Sequence, residues 1–558
     1  MKRLLAVAGL IVLLSHSAWS QTQATLVLKN VNIVGLAGDA DQTGRDVFIN
    51  GEKIIAVRAA GSRPHGEAKV LDGTGRWLIP GLIDMRVHLE FSEVDHAARQ
   101  RDLAELLSYG ITSVLDLSSA AAVVDQTEKK SAPRIFFSAA PMRSQPVQWS
   151  TTSNAFIKNE KEARLAVQAA KQKGAKFIYL DANLEAGAVK AAIQEAGTHG
   201  MLTAGAFLAT SFEEAARNGV NVVYGMTSLL SGFADGGERK NFAASWSRAE
   251  EGLLLPKNSV QFFKAWQKVE LQKNARKKLQ VLANQAVFFV PTLALESNRL
   301  VEYAQTGERA NAQKLQEKYR QLLRMAFDLQ IPLLAGSGYN SQRNWRPTLP
   351  EELLAWVQAG IEPRFALEAA TINAGHALRQ TNLGQIGEGM LADLVLVDEH
   401  PFKNIATLQR PWAVITNGNV LSQKELAQLR DTKRVAERQI RAVLERQVRA
   451  WNDGDLERFM RGYWKNDSTI FASGGNVSKG WQEMLARYQR SYPTLEKMGQ
   501  LEFNIYQVEL LVEEWAKVLG QWKLVVGTTT PQGLFTLILR RLPEDWRVVH
   551  DHTSSATP

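Results

Sequence analysis

The sequence predicts a (β/α)8 TIM barrel that is flanked by a β-sandwich and followed by a C-terminal α+β domain. Between residues 76 and 385, eight short apolar and β-branched runs alternate with amphipathic helical stretches, which is typical of a parallel barrel. Strand-rich segments at 21–75 and 386–422 enclose this region and can pair into one small sheet. A new order of elements, with helices before long strands, begins at residue 432.

The first twenty residues are expected to be a cleaved signal peptide. Lys2 and Arg3 precede an apolar run from Leu4 to Leu14, and Ala18-Trp19-Ser20 offers small residues at the cleavage spacing, so that Gln21 becomes the new N-terminus. An uncleaved membrane anchor is the alternative, but eleven apolar residues are few for a span. We therefore predict a periplasmic or secreted protein that has no membrane contact after cleavage.

The composition excludes several classes of protein. The chain has no cysteine, which closes the lipoprotein route and excludes disulfides. Its net charge of +9 falls by two, to +7, when Lys2 and Arg3 leave with the signal peptide, and no long basic block carries interleaved aromatic residues. Nucleic acid is therefore not an expected partner. We expect a small-molecule ligand and no cofactor.

The flanking segments and the barrel are both built from short strands. Residues 25–72 contain TLVLKNVNIVG, DVFI and KIIAV, with Asn50-Gly51 as a hairpin turn, and similar strands return as LADLVLVD and WAVITNGNV within 386–422. The eight predicted barrel strands are IDMRVH (83–88), SVLDL (113–117), RIFFSA (134–139), FIYLD (177–181), LTAGAF (202–207), VNVVYG (220–225), VFFVPTLA (287–294) and PLLAGS (332–337).

Polar residues cluster at the carboxyl ends of these strands, where catalytic residues of such a barrel lie. The period of two places Asp84, Arg86 and His88 on one face of the first strand. Other strand ends contribute Asp116, Tyr179 and Ser337. Of the nine histidines, only His88 is predicted at such a strand end.

Three phrases of the sequence are similar to those of a known family. VLDGTGRWLIPGLID, LGQIGEGMLADLVLVD and ATINAG resemble the metal-dependent amidohydrolase superfamily, of the imidazolonepropionase and prolidase type. The resemblance covers roughly residues 25–422. It implies a barrel joined to a small β-sandwich, and hydrolysis of amide or related C–N bonds at a metal centre.

The resemblance also implies where metal ligands would lie. In the family the first strand carries H-x-H, whose two imidazoles share one divalent cation. Here Arg86 takes the place of the first histidine, and a guanidinium has no lone pair for a metal. The bridging lysine, two further histidines and an aspartate of the family align with Tyr179, Ala206, Gly225 and Gly338. We therefore expect no metal at this site.

Two interpretations of the strand-end residues follow. In the structural one, Arg86 pairs with Asp116 or Asp84, and Tyr179 fills the space of the lost metal. In the functional one, the guanidinium of Arg86 binds a ligand carboxylate bidentately, beside His88, Asp116 and Tyr179. No catalytic residue is assigned.

The C-terminal domain, residues 432–558, follows a predicted polar linker at 423–431. AWNDGDLERFM and DWRVVHDHTS are similar to phrases of the nuclear-transport-factor-2-like superfamily, of the SnoaL-like and ketosteroid-isomerase-like kind. This resemblance implies a cone-shaped fold with a pocket between sheet and helices, and a homodimer.

The last predicted strand supplies candidate pocket residues. By the period of two, Trp546, Val548, His550 and His552 share a face that could line the pocket together with Tyr463 and Trp464. In the alternative, the aromatic residues are simply core. A metal at His550 and His552 would lack a third ligand, so none is predicted there.

Three functions remain open on the sequence. The first is a pseudoenzyme whose barrel binds a ligand or serves as a scaffold, with a second pocket or a dimer interface in the C-terminal domain. The second is an active hydrolase of amide or other C–N bonds by a metal-free route, although hydrolysis at neutral pH usually draws on a metal to activate water. The third places catalysis in the C-terminal domain, with His550 or His552 as acid or base, and rests on fold analogy.

Overall fold

The computed structural model describes residues 23–62, 67–89, 96–118, 132–138, 140–144, 155–233, 271–303, 309–340, 348–429, 432–512, 514–542 and 545–555. The predicted signal peptide and its cleavage site at Gln21 lie outside these ranges. Among the helices within the ranges, none combines the length and apolarity that crossing a bilayer takes.

The elements before residue 430 alternate as the sequence predicts. The strands are β1 (Leu26–Ile33), β2 (Gln42–Asn50), β3 (Lys53–Ala59), β4 (Lys69–Asp72), β5 (Trp77–Pro80), β6 (Leu82–His88), β7 (Ile111–Asp116), β8 (Arg134–Phe137), β9 (Met142–Arg143), β10 (Ala155–Phe156), β11 (Phe177–Leu180), β12 (Leu202–Gly205), β13 (Val222–Tyr224), β14 (Phe288–Val290), β15 (Tyr339–Asn340), β16 (Leu394–Val397), β17 (Ala413–Thr416) and β18 (Asn419–Ser422). The helices are α1 (His96–Ser108), α2 (Glu160–Gln172), α3 (Ala186–Thr198), α4 (Phe212–Arg217), α5 (Met226–Phe233), α6 (Leu271–Asn284), α7 (Leu293–Tyr303), α8 (Arg309–Asp328), α9 (Leu349–Gln358), α10 (Pro363–Ala369), α11 (Ile372–Ala377) and α12 (Gln423–Leu429), with a 3-10 turn at Ile405–Gln409.

The two flanking segments form one eight-stranded sheet, ordered β18-β17-β16-β5-β1-β2-β3 with β4 beside β1. The expected pairing of distant segments is confirmed where β16 runs antiparallel to β5 and Leu396 lies opposite Leu78. The predicted boundary at residue 76 is wrong by a few residues, because β5 belongs to this sheet. The chain leaves the sheet at Gly81, where a Cβ atom would collide with the side chain of Thr112.

The region after Gly81, here called the α/β domain, is organised around parallel strands. β6, β7 and β8 pair in that order, and the bridge between Ser138 and Phe177 leads to β11, β12, β13 and β14. The predicted strand 332–337 is not continuous. It still takes the next position, through a bridge from Leu333 to Phe289 and a hydrogen bond from the Met85 N–H to the Ala335 carbonyl. Residues 333–335 therefore lie between β14 and β6.

The predicted linker is largely a helix. Residues 423–429 form α12, whose Leu426 is fully buried in the core of the α/β domain. The composition of this stretch is polar and helical, as expected of a linker, but it does not predict the burial of Leu426 against the α/β domain. The connection to the C-terminal domain is thereby reduced to residues 430–431, which lie outside the described residues.

The C-terminal domain packs its helices on one face of a six-stranded sheet, ordered β20-β19-β24-β23-β22-β21. The apolar side of its first helix is buried at Ile440, Val443, Leu444 and Trp451. The helices are α13 (Thr432–Asn452), α14 (Leu456–Met460), α15 (Trp481–Ser491) and α16 (Leu495–Met498), and the strands are β19 (Ile470–Ser473), β20 (Asn476–Lys479), β21 (Gln500–Val512), β22 (Trp515–Val525), β23 (Gln532–Arg541) and β24 (Trp546–Thr553).

Candidate functional site

Arg86, near the carboxyl end of β6, is the centre of the polar cluster in the α/β domain. Its side chain is only 4% exposed. Nη1 donates to Thr292 Oγ1 at 2.8 Å and lies 4.0 Å from Oε1 of Glu296. The guanidinium also lies 5.4 Å from the centre of the Tyr224 ring. Its positive charge is therefore met by Glu296, a residue of α7.

The prediction that Arg86 pairs with Asp84 or Asp116 is wrong. Asp84 accepts the backbone N–H groups of Arg86 and Ser337, and Ser337 Oγ donates to its second oxygen at 2.5 Å. Asp116 accepts the N–H of Leu89 and both donors of Ser118. Both carboxylates are thus held by backbone and hydroxyl donors close to them, and the guanidinium extends beyond them.

Glu296 is the partner of Arg86 that sequence reasoning missed. It lies on a helix rather than at a strand end, so no strand pattern points to it. A Cβ atom on Gly225 would collide with its Oε1, and the absence of that atom lets the carboxylate reach Arg86. The backbone N–H and the hydroxyl of Thr227 hold its other oxygen, at 2.8 and 2.6 Å.

The positions that align with family ligands are filled by other groups. Tyr179 is 5% exposed and its ring lies 6.0 Å from that of the half-buried His88, in an edge-on arrangement. Burial raises the pKa of Tyr179, against the lowering effect of the Arg86 guanidinium. Ala206 is buried, and a Cβ atom on Gly338 would collide with Leu295. Among the described residues, no three His, Asp or Glu side chains are placed to hold a metal ion together.

Two buried carboxyl groups in this region have shifted pKa values. Burial raises the pKa of Asp84 to about 6 and that of Glu352 to about 7. Glu352 accepts the N–H groups of Leu293 and Ala294, both at 2.7 Å, and so caps the N-terminus of α7. Arg143 and Asp181 form a further ion pair with 3.1 Å between Nε and Oδ2.

These shifts predict that stability decreases with rising pH. In the unfolded chain the pKa values of Asp and Glu are about 4. Between this pH and the raised pKa values of Asp84 and Glu352, the folded protein therefore binds more protons than the unfolded chain. The free energy of unfolding then falls as pH rises through this window. In Asp84→Asn, the decrease in the free energy of unfolding between pH 4 and pH 7 should be smaller by about 3 kcal/mol than in the unmodified protein. Urea unfolding at each pH measures this difference. Parallel curves for the two proteins would contradict the assignment.

The C-terminal domain holds a second polar cluster, around Asp551. Tyr463 donates its hydroxyl to Oδ2 at 2.6 Å, and Thr553 donates to Oδ1 at 2.7 Å. Asp551 is 4% exposed, and burial raises its pKa. Tyr488 interacts with Tyr463, and its ring lies 5.3 Å from Phe459. A carboxyl group and a phenol thus share a hydrogen bond inside an aromatic layer.

The predicted inward face of β24 is wrong in its second half. Leu539 pairs with Val548, but Ile538 pairs with His550, so Val549 is an extra residue in the ladder. Such a bulge reverses the alternation of side chains beyond it. Trp546 and Val548 are buried as expected, whereas beyond the bulge the buried side chain is Asp551.

The predicted pocket residues of this domain differ in how they lie relative to Asp551. Tyr463 contacts it directly. His550 is half-buried and His552 is exposed. Trp464 is half-buried and its ring lies 5.8 Å from the Arg540 guanidinium. Counting every second residue cannot reveal a bulge. The sequence therefore predicted His550 and His552 on the inward face instead of Asp551, which lies between them.

Comparison with known proteins agrees with both halves of this architecture. Residues 440–558 match the SnoaL-like domain family. An adenine deaminase of Rhizobium johnstonii is 30% identical over 137 residues, covering 23% of this chain and 22% of that protein. A deacetylase of Agrobacterium fabrum is 32% identical over 106 residues, covering 19% and 25%. The matched part of the chain thus spans a quarter or less of these relatives.

Solved structures extend the likeness over most of the chain. A Xaa-Pro dipeptidase with bound methionine is 16% identical, with a TM-score of 0.54 over 71% of this chain and 99% of that one. A prolidase in complex with N-methylphosphonate-L-proline is 19% identical, with a TM-score of 0.53 over the same shares. An NTF-2-like protein of Shewanella oneidensis is 39% identical over 21% of this chain and 96% of that chain, at a TM-score of 0.21. The two enzymes show that the α/β part of the chain has an amidohydrolase-type fold, and the family match places a SnoaL-like domain at residues 440–558.

Proposed function

We propose that the α/β domain is a (β/α)8 barrel of the amidohydrolase type that has lost its catalytic metal and binds a small molecule without hydrolysing it. The observation that carries this proposal is the buried ion pair of Arg86 and Glu296 at the strand ends. A guanidinium offers no lone pair to a cation and repels it, and its permanent charge does not depend on pH.

The residues present do not fit the metal of the amidohydrolase family. Ala206, Gly225 and Gly338 offer no donor side chains where the family has histidines and an aspartate. The space beyond Gly225 is taken by Glu296, and the space beyond Gly338 by Leu295. A metal-free hydrolytic route would have to rely on His88 and Tyr179, and an isolated imidazole and phenol are a poor substitute for a metal that activates water.

The decisive experiment combines elemental analysis with one substitution. We expect the purified mature protein to retain no stoichiometric zinc after dialysis. Arg86→His should neither retain zinc nor gain amidase or esterase activity, because two imidazoles alone cannot complete a metal site. Arg490→His on an exposed helix face is the control for zinc held by an added histidine alone. A zinc-dependent hydrolase made by Arg86→His would refute the proposal.

A second candidate function lies in the C-terminal domain, and the Tyr463–Asp551 hydrogen bond favours it. A buried carboxyl group with a raised pKa can act as an acid or base. It replaces the histidines that the sequence suggested for this role. Loss of ligand binding in Asp551→Asn, with Arg86→Ala unaffected, would assign the function to this domain.

Export and dimerisation are proposed together with this function. The N-terminal residues support a cleaved signal peptide and a periplasmic or secreted location, and N-terminal sequencing of the exported protein tests this. A homodimer through the C-terminal domain is tested by light scattering of the full-length protein. Intact Met1 on exported protein, or a monomer at micromolar concentration, would exclude the respective proposal.

A further inference from the structure

The C-terminal domain contacts the α/β domain through Arg438 of α13. Its Nη1 lies 3.3 Å from Oδ1 of Asp102, and its Nη2 lies 3.0 Å from Oε2 of Glu105. These acids are three residues apart on α1 and are 5% and 8% exposed. Two buried carboxylates on adjacent turns repel each other unless a cation is near. The guanidinium from the other domain supplies that charge.

The same two carboxylates also hold Tyr339. Its hydroxyl donates to both of them, at 3.3 Å each, and its side chain is buried. Tyr339 belongs to β15, the short strand that pairs with the end of β6, where it lies opposite Val87. The Arg438 guanidinium and the Tyr339 hydroxyl are therefore joined through one pair of acids.

From Tyr339 the contacts continue to the strand ends. The Tyr339 N–H donates to Ser337 Oγ at 3.0 Å, and the Ser337 hydroxyl donates to Asp84 at 2.5 Å. The N–H of Gly338 donates to the Arg86 carbonyl at 2.8 Å. Hydrogen bonds that are linked through the side chain and backbone of Tyr339 and Gly338 thus connect α13 of the C-terminal domain to Asp84 and Arg86.

We propose that Arg438 is a positioning residue through which the docked C-terminal domain fixes the segment 337–340, and with it the strand-end cluster of the α/β domain. Removal of the guanidinium takes one positive charge away from Asp102 and Glu105, and this weakens the hold of the two carboxylates on the Tyr339 hydroxyl. The segment then exchanges its amide hydrogens faster. The proposal goes beyond the metal-free function above, because it requires only these contacts and holds for any ligand at the strand ends.

The test is amide hydrogen exchange of the full-length protein, followed by mass spectrometry of peptides that cover 336–340. We expect exchange to be about tenfold faster in Arg438→Ala and in Tyr339→Phe than in the unmodified protein. Arg441→Ala is the matched control, since this arginine lies one turn further along α13 and pairs with Glu437 of the same helix and with the Ile505 carbonyl. Its exchange in 336–340 should be unchanged.

The outcomes separate coupling from general destabilisation. Tyr339→Phe keeps the ion pairs of Arg438 and removes only the hydroxyl, so it remains informative if Arg438→Ala fails to fold. Faster exchange confined to 336–340 supports the proposal. Unchanged exchange there, or an equal rise over the whole α/β domain, overturns it. Zinc content and hydrolase activity do not enter this readout, so a failure here is distinguishable from a failure of the proposed function.

Discussion

Arg86→Ala is expected to lower the free energy of unfolding of the α/β domain by about 3 kcal/mol, because it removes the guanidinium from beside the buried carboxylate of Glu296. The two side chains are 4% and 6% exposed, so water cannot replace the lost partner. Thr227 still donates two hydrogen bonds to Glu296. The expected loss is therefore at the lower end of the range for breaking a buried ion pair. Urea unfolding followed by circular dichroism measures the change.

The control for this experiment is an ion pair of the same type on the surface. Arg490 and Glu483 lie 2.9 Å apart, with side chains 65% and 55% exposed. Solvent screens such a pair, so Arg490→Ala should cost less than about 1 kcal/mol. Equal effects of the two substitutions would show that Arg86 has no structural role.

Trp356→Ala should destabilise the α/β domain by about 4 kcal/mol, since it removes a fully buried indole. The indole Nε1 also donates to Oε1 of Glu352 at 2.7 Å, and this carboxyl caps the helix that carries Glu296. Trp356→Phe keeps most of the packing and loses that donor, so it should cost about 1 to 2 kcal/mol. Comparison of the two variants by urea unfolding separates packing from hydrogen bonding. A loss below 1 kcal/mol in Trp356→Ala would contradict the assignment.

The fold is largely predictable because periodicity and chain order determine it. Apolar runs such as 83–88 and 177–181 predict buried strands. The distant segments around Leu78 and Leu396 pair as expected. The predicted strand at 332–337 is held by a single bridge and a few backbone hydrogen bonds, which no local pattern distinguishes from a full strand. The helical composition of 423–429 agrees with helix α12, whereas the burial of its Leu426 was not predicted.

The candidate sites are less predictable, because their key contacts cross between elements. Arg86 is visible in the sequence as a departure from H-x-H. Its partner Glu296 reaches it only because Gly225 leaves room, which depends on three-dimensional packing. Asp551 faces inward only because a bulge at Val549 shifts the register of β24. A pattern of residue types does not show how far a side chain extends toward another element. It also does not show where a β-strand carries an extra, unpaired residue.

The spaces beyond Gly225 and Gly338 are occupied, which limits the side chains that these two positions can accept. A histidine introduced at 225 would collide with Glu296, and an aspartate at 338 would collide with Leu295. Both glycines also have positive φ, at 84° and 71°, which L side chains rarely adopt. Each of these two substitutions would therefore be harmful on its own unless its neighbour had already become smaller. A metal ligand could be introduced at either position only through a less stable intermediate, so single substitutions that leave both glycines in place are the less costly changes at this site.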